Sequence, residues 1–220
     1  MTAANINART VQEVYAEGAR YFMREGKLHG ALGELCSDLD RRGIGYMIIG
    51  AVALLAHGYP RFTEDIDLVM TAEGLETFHR ELVGLGYAPA FEGARKRVRA
   101  TKSNVPVEII VAGEYPGDGK PKPISFPAPP EASVEIDGVR FVTLEKLIEL
   151  KLSSGMTAPD RLKDLADVQE LIKLRALDAS FADRLHPYVR ERFLELMRAV
   201  EGAARRGDEE GEEKDRPGQN

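Results

Sequence analysis

The sequence predicts an α/β protein: a mixed sheet of four or five strands flanked by helices, followed by a helical carboxy-terminal part. Three observations lead there. Residues 46–70, YMIIGAVALLAHGYPRFTEDIDLVM, read as an apolar strand, a glycine break at Gly50, a short Ala/Leu-rich helix and a second strand. Further short apolar runs with strand alternation recur at 87–91, 95–102 and 105–111, and again around an Asp-Gly pair at 133–142. From Thr143 to about Ala203 the apolar residues fall at helical spacing only.

In chain order, residues 1–27 form an amino-terminal helical extension. Positions 1–9 are polar, and Val11, Val14, Tyr15, Ala19, Tyr21 and Phe22 give an imperfectly amphipathic helix over Thr10–Arg24. A core unit over 28–142 follows. Its first helix, Leu28–Arg42, carries Leu28, Leu32, Leu35, Cys36 and Leu39 on one face and stops at Arg41-Arg42-Gly43. After the central strand-helix-strand, Thr71 caps a helix to about Gly84 that buries Leu75, Phe78, Leu82 and Val83. Tyr87–Phe91 and Arg95–Lys102 are short strands. In the second, Arg95, Arg97 and Arg99 alternate onto one face, either guarding an exposed edge or meeting substrate phosphates. In Val105–Val111, Pro106 implies an edge position. Residues 112–131 are too rich in Pro and Gly for regular structure and make a boundary or a flexible loop near the site. Asp137-Gly138 then turns a hairpin over Ser133–Val142.

The helical part spans 143–204. Thr143 caps a helix whose Leu144, Leu147, Ile148, Leu150 and Leu152 surround Lys151, and Ser153-Ser154-Gly155 breaks it. In DRLKDLADVQELIKL, Arg161, Asp164 and Asp167 share one helix face, which on the plain reading is a surface knit by ion pairs. A last helix covers Pro187–Ala203. The acidic tail, 205–220, has nothing to bury and is expected to be disordered.

Composition narrows the function. At 220 residues there is ample material for one core, and a single cysteine, Cys36 on an apolar helix face, excludes an intramolecular disulfide and suits a reducing cytoplasm. No apolar run reaches the roughly 20 residues that span a bilayer, and the first twenty residues show no secretory pattern, so no membrane partner is expected. A net charge of -6 argues against broad electrostatic binding of nucleic acid, though not against a local basic groove.

The chemistry concentrates in three places. Asp65 and Asp67, two apart on a strand, share a face, and like carboxylates that close repel unless a divalent cation lies between them. A plain exposed strand face is the alternative. Gly50 precedes a helix start, whose unpaired N–H groups suit an anion, and Arg61 is placed to approach phosphate. Glu108 is a carboxylate in an apolar strand that must reach solvent or meet a cation. Lys151 is either a snorkelling side chain or a positioned ligand. His57-Gly58 also reads as an ordinary helix end.

Taken together, Gly50, His57, Gly58, Arg61, Thr63, Asp65, Ile66, Asp67 and Leu68, with a later acidic strand, resemble the nucleotidyltransferase superfamily built on the DNA polymerase beta palm. Within it the likeness is to minimal nucleotidyltransferases and to the toxin halves of abortive-infection toxin–antitoxin pairs. It covers residues 28–175, because KLxxG at Lys151 followed by RxxDLxDV at Arg161 and Asp164 resembles the carboxy-terminal signature of the same enzymes. The resemblance implies a nucleotidyltransferase fold with a palm-like core at 28–142. Asp65, Asp67 and Glu108 would be metal-binding and catalytic, holding Mg²⁺ or Mn²⁺. Gly50, Ala51, Arg61 and Lys151 would bind an NTP, and Arg161 and Asp164 would give structural support. It also implies an acceptor hydroxyl on RNA such as tRNA, a protein or a small molecule, and an antitoxin partner. Ala51 departs from the family's Gly or Ser, keeping an amide but no hydroxyl. That departure supports an alternative, a nucleotide- or partner-binding module of the same fold that no longer turns over.

Overall fold

The structure, a computed structural model, describes residues 26–214. The helix expected over Thr10–Arg24, and with it most of the amino-terminal extension, lies outside the described residues. Helix α1 (Lys27–Arg41) buries Leu28, Leu32, Leu35, Cys36 and Leu39, the face its spacing predicts. The central unit follows as β1 (Tyr46–Ile48), α2 (Gly50–Ala56) and β2 (Ile66–Met70). Next come α3 (Ala72–Glu81), whose cap Thr71 accepts from the Gly74 amide, and strands β3 (Tyr87–Pro89), β4 (Arg97–Ala100) and β5 (Pro106–Val111). A short helix α4 (Pro129–Ala132) leads into the hairpin β6 (Ser133–Ile136) and β7 (Val139–Val142), which turns at Asp137-Gly138. The remainder is helical: α5 (Leu144–Thr157), α6 (Leu162–Leu174) and α7 (Pro187–Lys214), joined by 3₁₀ turns at Pro159–Arg161 and Ala179–Arg184.

The sheet is mixed, as expected, but has seven strands in the order β3-β4-β5-β2-β1-β7-β6 rather than four or five. The hairpin joins β1 through the single parallel pair Ile48↔Phe141. Glu108 is therefore not on an edge strand: β5 lies between β2, which it pairs in parallel, and β4, which it pairs antiparallel. Pro106 is tolerated because it is the first residue of the strand, where a missing N–H costs least.

Two helices also depart from expectation. Helix α5 runs through Ser153-Ser154-Gly155 without a break. A Cβ on Gly155 would stand 2.5 Å from Leu165 Cγ, so the small residues serve close packing of α6 on α5 and not chain termination. Helix α7 continues to Lys214, into the stretch whose composition predicts disorder; residues 215–220 lie outside the described residues. One apolar cluster runs from α1 through the sheet to α5, α6 and α7. Among the described residues no helix is long and apolar enough to cross a membrane.

Candidate active site

The turn after β1 and the face of β2 are shaped around each other. Gly50 has φ +66, and a Cβ there would fall 2.0 Å from Asp67 Oδ2, so only glycine lets the backbone lie against that carboxylate. The Ile49 amide donates to the Asp67 carbonyl oxygen at 2.9 Å, fixing the approach. Strand alternation puts Asp65, Asp67 and the register partner of Asp67, Glu108, toward one cleft, while Ile66 and Leu68 are fully buried on the other side. Opposite Glu108 on β4 stands Arg97, whose Nη2 reaches Glu108 Oε1 at 3.4 Å. The Thr63 hydroxyl donates to Asp65 Oδ1.

Burial pushes the Asp67 carboxyl up to about 7, reinforced by the charges of Asp65 and Glu108 and only partly offset by Lys151 and Arg161. Hard oxygen donors on one sheet face suit Mg²⁺ or Mn²⁺. Among the described residues no three acidic, His or Cys side chains already form a cage for an ion. The donors face the cleft without closing on one point.

Arg61, Lys151, Arg161 and Lys163 also line this cleft, which has a volume of about 380 Å³. Three of these four already hold carboxylates. Lys151 Nζ donates to Asp164 Oδ1 at 3.0 Å and Asp167 Oδ2 at 2.7 Å. Arg61 Nη1 donates to Asp167 Oδ2 at 2.7 Å, and Arg161 Nε to Asp164 Oδ2 at 2.8 Å. The Ser154 hydroxyl donates to that same Asp164 oxygen at 2.7 Å. Asp164 and Asp167 are 1% and 3% exposed, so the helix face expected to be an ion-paired surface is instead a buried network. Burial alone would raise the Asp164 pKa, but Lys151, Ser154 and Arg161 outweigh it and hold the carboxyl below its ordinary value.

His57 does not reach the chemistry. Its ring is buried, and Nε2 donates to the Val142 carbonyl oxygen at 2.7 Å, tying the end of α2 to β7. Of the arginine ladder, Arg95 pairs with Glu76 at 2.6 Å, Arg97 with Glu108, and Arg99 Nη1 donates to the Asn104 carbonyl oxygen at 3.3 Å.

No protein-family profile matches the chain, and no curated protein does. Solved structures do. The chain is similar to the solution structure of the antibiotic-resistance factor ANT(2'')-Ia, at 19% identity over 76% of this chain and 92% of that one, TM-score 0.48. It is similar to the crystal structure of ANT(2'')-Ia with adenylyl-2''-tobramycin, at 16% identity over 89% and 99% of the two chains, TM-score 0.46. A third is an antigenic nucleotidyltransferase-like protein from Paracoccidioides brasiliensis, at 20% identity over 67% and 76%, TM-score 0.44.

The cleft also contains residues that sequence reasoning passed over. Lys163 and Phe126 line it, as do Pro116 and Gly117. Lys163 is two residues from Arg161 in the same signature, a signal that was there to use. Nothing in the local sequence places Phe126, because its position depends on how a long loop folds back.

Proposed function

We propose that the protein is a Mg²⁺- or Mn²⁺-dependent nucleotidyltransferase that moves a nucleoside monophosphate from an NTP to an acceptor hydroxyl. The supporting observation is the cleft, which brings Asp65, Asp67 and Glu108 together with four cations. That combination suits a polyphosphate bridging metal and cations.

Asp65, Asp67 and Glu108 would hold the metal. When bound, a divalent ion lowers the pKa of an attacking hydroxyl and stabilises charge on an in-line phosphoryl transition state. Glu108, with its side chain 45% exposed, is the acid open enough to accept or direct the acceptor's proton. The Gly50 and Ala51 amides at the start of α2 face the triphosphate, and Ala51 offers it no hydroxyl. Arg61 and Lys151 counter its charge from within their ion network, with Arg161 and Lys163 nearer solvent. The acceptor belongs to RNA such as tRNA, to a protein or to a small molecule. A cytoplasmic setting and a role as the toxin of a toxin–antitoxin pair, restrained by an antitoxin, complete this reading.

The Asp65→Asn, Asp67→Asn double variant is expected to keep its fold and lose label transfer from α-radiolabelled NTPs to a cell extract by at least about a hundredfold. Undiminished labelling sinks the mechanism. A second reading, an inert nucleotide-binding or partner-binding module, draws on Ala51 and on the unclosed carboxylate set. Calorimetry separates the two: the enzyme requires NTP affinity that depends on Mg²⁺, and the inert module does not.

A further inference from the structure

The Pro/Gly-rich stretch between β5 and α4, expected as a boundary or a flexible loop near the site, lines the cleft and is tied down by hydrogen bonds. Its neck is closed by two backbone hydrogen bonds, Gly113 N–H to the Phe126 carbonyl oxygen and Phe126 N–H to the Glu114 carbonyl oxygen, each 2.8 Å. Its far side is latched to α5. The Lys122 ammonium, on a side chain only 6% exposed, donates to the Pro116 carbonyl oxygen at 2.6 Å and to Thr157 Oγ1 at 3.1 Å, and pairs with Asp118. Three donors meet three acceptors, which is what makes a lysine so little exposed tolerable. Gly117 lies so close to α5 that a Cβ would stand 2.4 Å from Thr157 Oγ1 and 2.8 Å from the Ser154 carbonyl oxygen. Ile124 is buried beneath the loop. The same two helix residues, Ser154 and Thr157, thus meet the loop on one side, while Ser154 anchors Asp164 of the ion network on the other.

This latch has a consequence for the cleft. Pro116, Gly117 and Phe126 line it together with the apolar Ile49, Ile110, Leu147 and Leu150. Carboxylates and cations line it as well. An NTP likewise joins a polyanion to a planar, weakly polar base.

Resting on the nucleotidyl-transfer reading, we propose that the latched loop is the nucleoside-recognition wall and that Phe126 stacks on the nucleobase. Lys122 and Gly117 are positioning residues that hold the ring in place. Base stacking on one aromatic ring is worth enough to change affinity about tenfold.

The test compares two probes in the presence of Mg²⁺ by calorimetry: each of the four NTPs, and inorganic tripolyphosphate, which has the charge but no base. Phe126→Ala is expected to weaken the best-bound NTP about tenfold and leave tripolyphosphate unchanged. Phe126→Tyr, which keeps the ring, should retain wild-type affinity for both. Gly117→Ala and Lys122→Met should reproduce the Phe126→Ala pattern and speed hydrogen exchange at the Gly113 and Phe126 amides, which reports release of the loop. Equal losses for both probes in Phe126→Ala, or no loss for either, overturn the stacking assignment while leaving nucleotide binding intact. A wild-type protein that binds neither probe overturns the nucleotidyl-transfer reading itself and this inference with it.

Discussion

At the scale of single residues, Gly50 and Asp67 are a matched pair. A glycine ending one strand and an acid on the next are visible in the sequence, but not that one makes room for the other: a side chain at 50 would enter the Asp67 carboxylate. His57 is the opposite case, a motif residue whose work is structural. Burial holds its pKa below the ordinary 6.5, outweighing the favourable bond to Val142. Between the lowered folded-state value and 6.5 the unfolded chain binds a proton that the folded chain excludes. Stability therefore falls as pH drops through 6.5 and is regained as it rises. Asp67, held up near 7, acts in the opposite sense below that pH, so the readout is the difference between proteins: in thermal melts from pH 5 to pH 8, stability should rise more with pH, or fall less, in wild type than in His57→Gln. Parallel slopes in the two proteins would mean that the ring is free to charge in place.

At the scale of elements, the register of the sheet and the packing of α5 on α6 decide how much of the site could be read beforehand. Seven strands were legible one by one, because each is a short apolar or alternating run between turn residues. Their assembly into one sheet was not, since the hairpin attaches at a single register pair, Ile48↔Phe141, between residues far apart in sequence. The facing of Asp65 and Asp67 followed from strand periodicity alone. The burial of Asp164 and Asp167 did not, because local spacing says which residues share a helix face and not which face meets another helix. That burial gives Lys151 a role testable apart from nucleotide binding. Removing one member of a buried ion pair costs about 3–5 kcal/mol, because the remaining charges stay desolvated. Here Arg61 and Arg161 still hold Asp167 and Asp164, so Lys151→Met should cost about 3 kcal/mol, the lower end of that range, in urea unfolding. Adding Asp164→Asn should recover part of the loss. If Lys151→Met left stability untouched and weakened only NTP binding, Lys151 would be a phosphate ligand and not a member of the network.

At the scale of the molecule, the strand-rich core and the helical part share one apolar cluster, and polar ties cross between them: Arg61 to Asp167, and the Lys122 latch to Thr157. Helix α5 alone contributes Leu147, Ile148 and Leu152, each 2% exposed or less. Full burial of one such side chain is worth roughly 1.5–3 kcal/mol. Three of them therefore rival the roughly 5–15 kcal/mol by which a whole domain is stable. The sheet is thus not expected to fold without the helices that cover it. A fragment ending at Val142 should show no cooperative calorimetric transition and poor amide dispersion by NMR, while the full chain melts in a single step. A sharp transition in the fragment would make the helical part a separable domain. The ion network would then be an interface able to open, and the cleft could change shape by motion between two bodies rather than by movement of side chains within one.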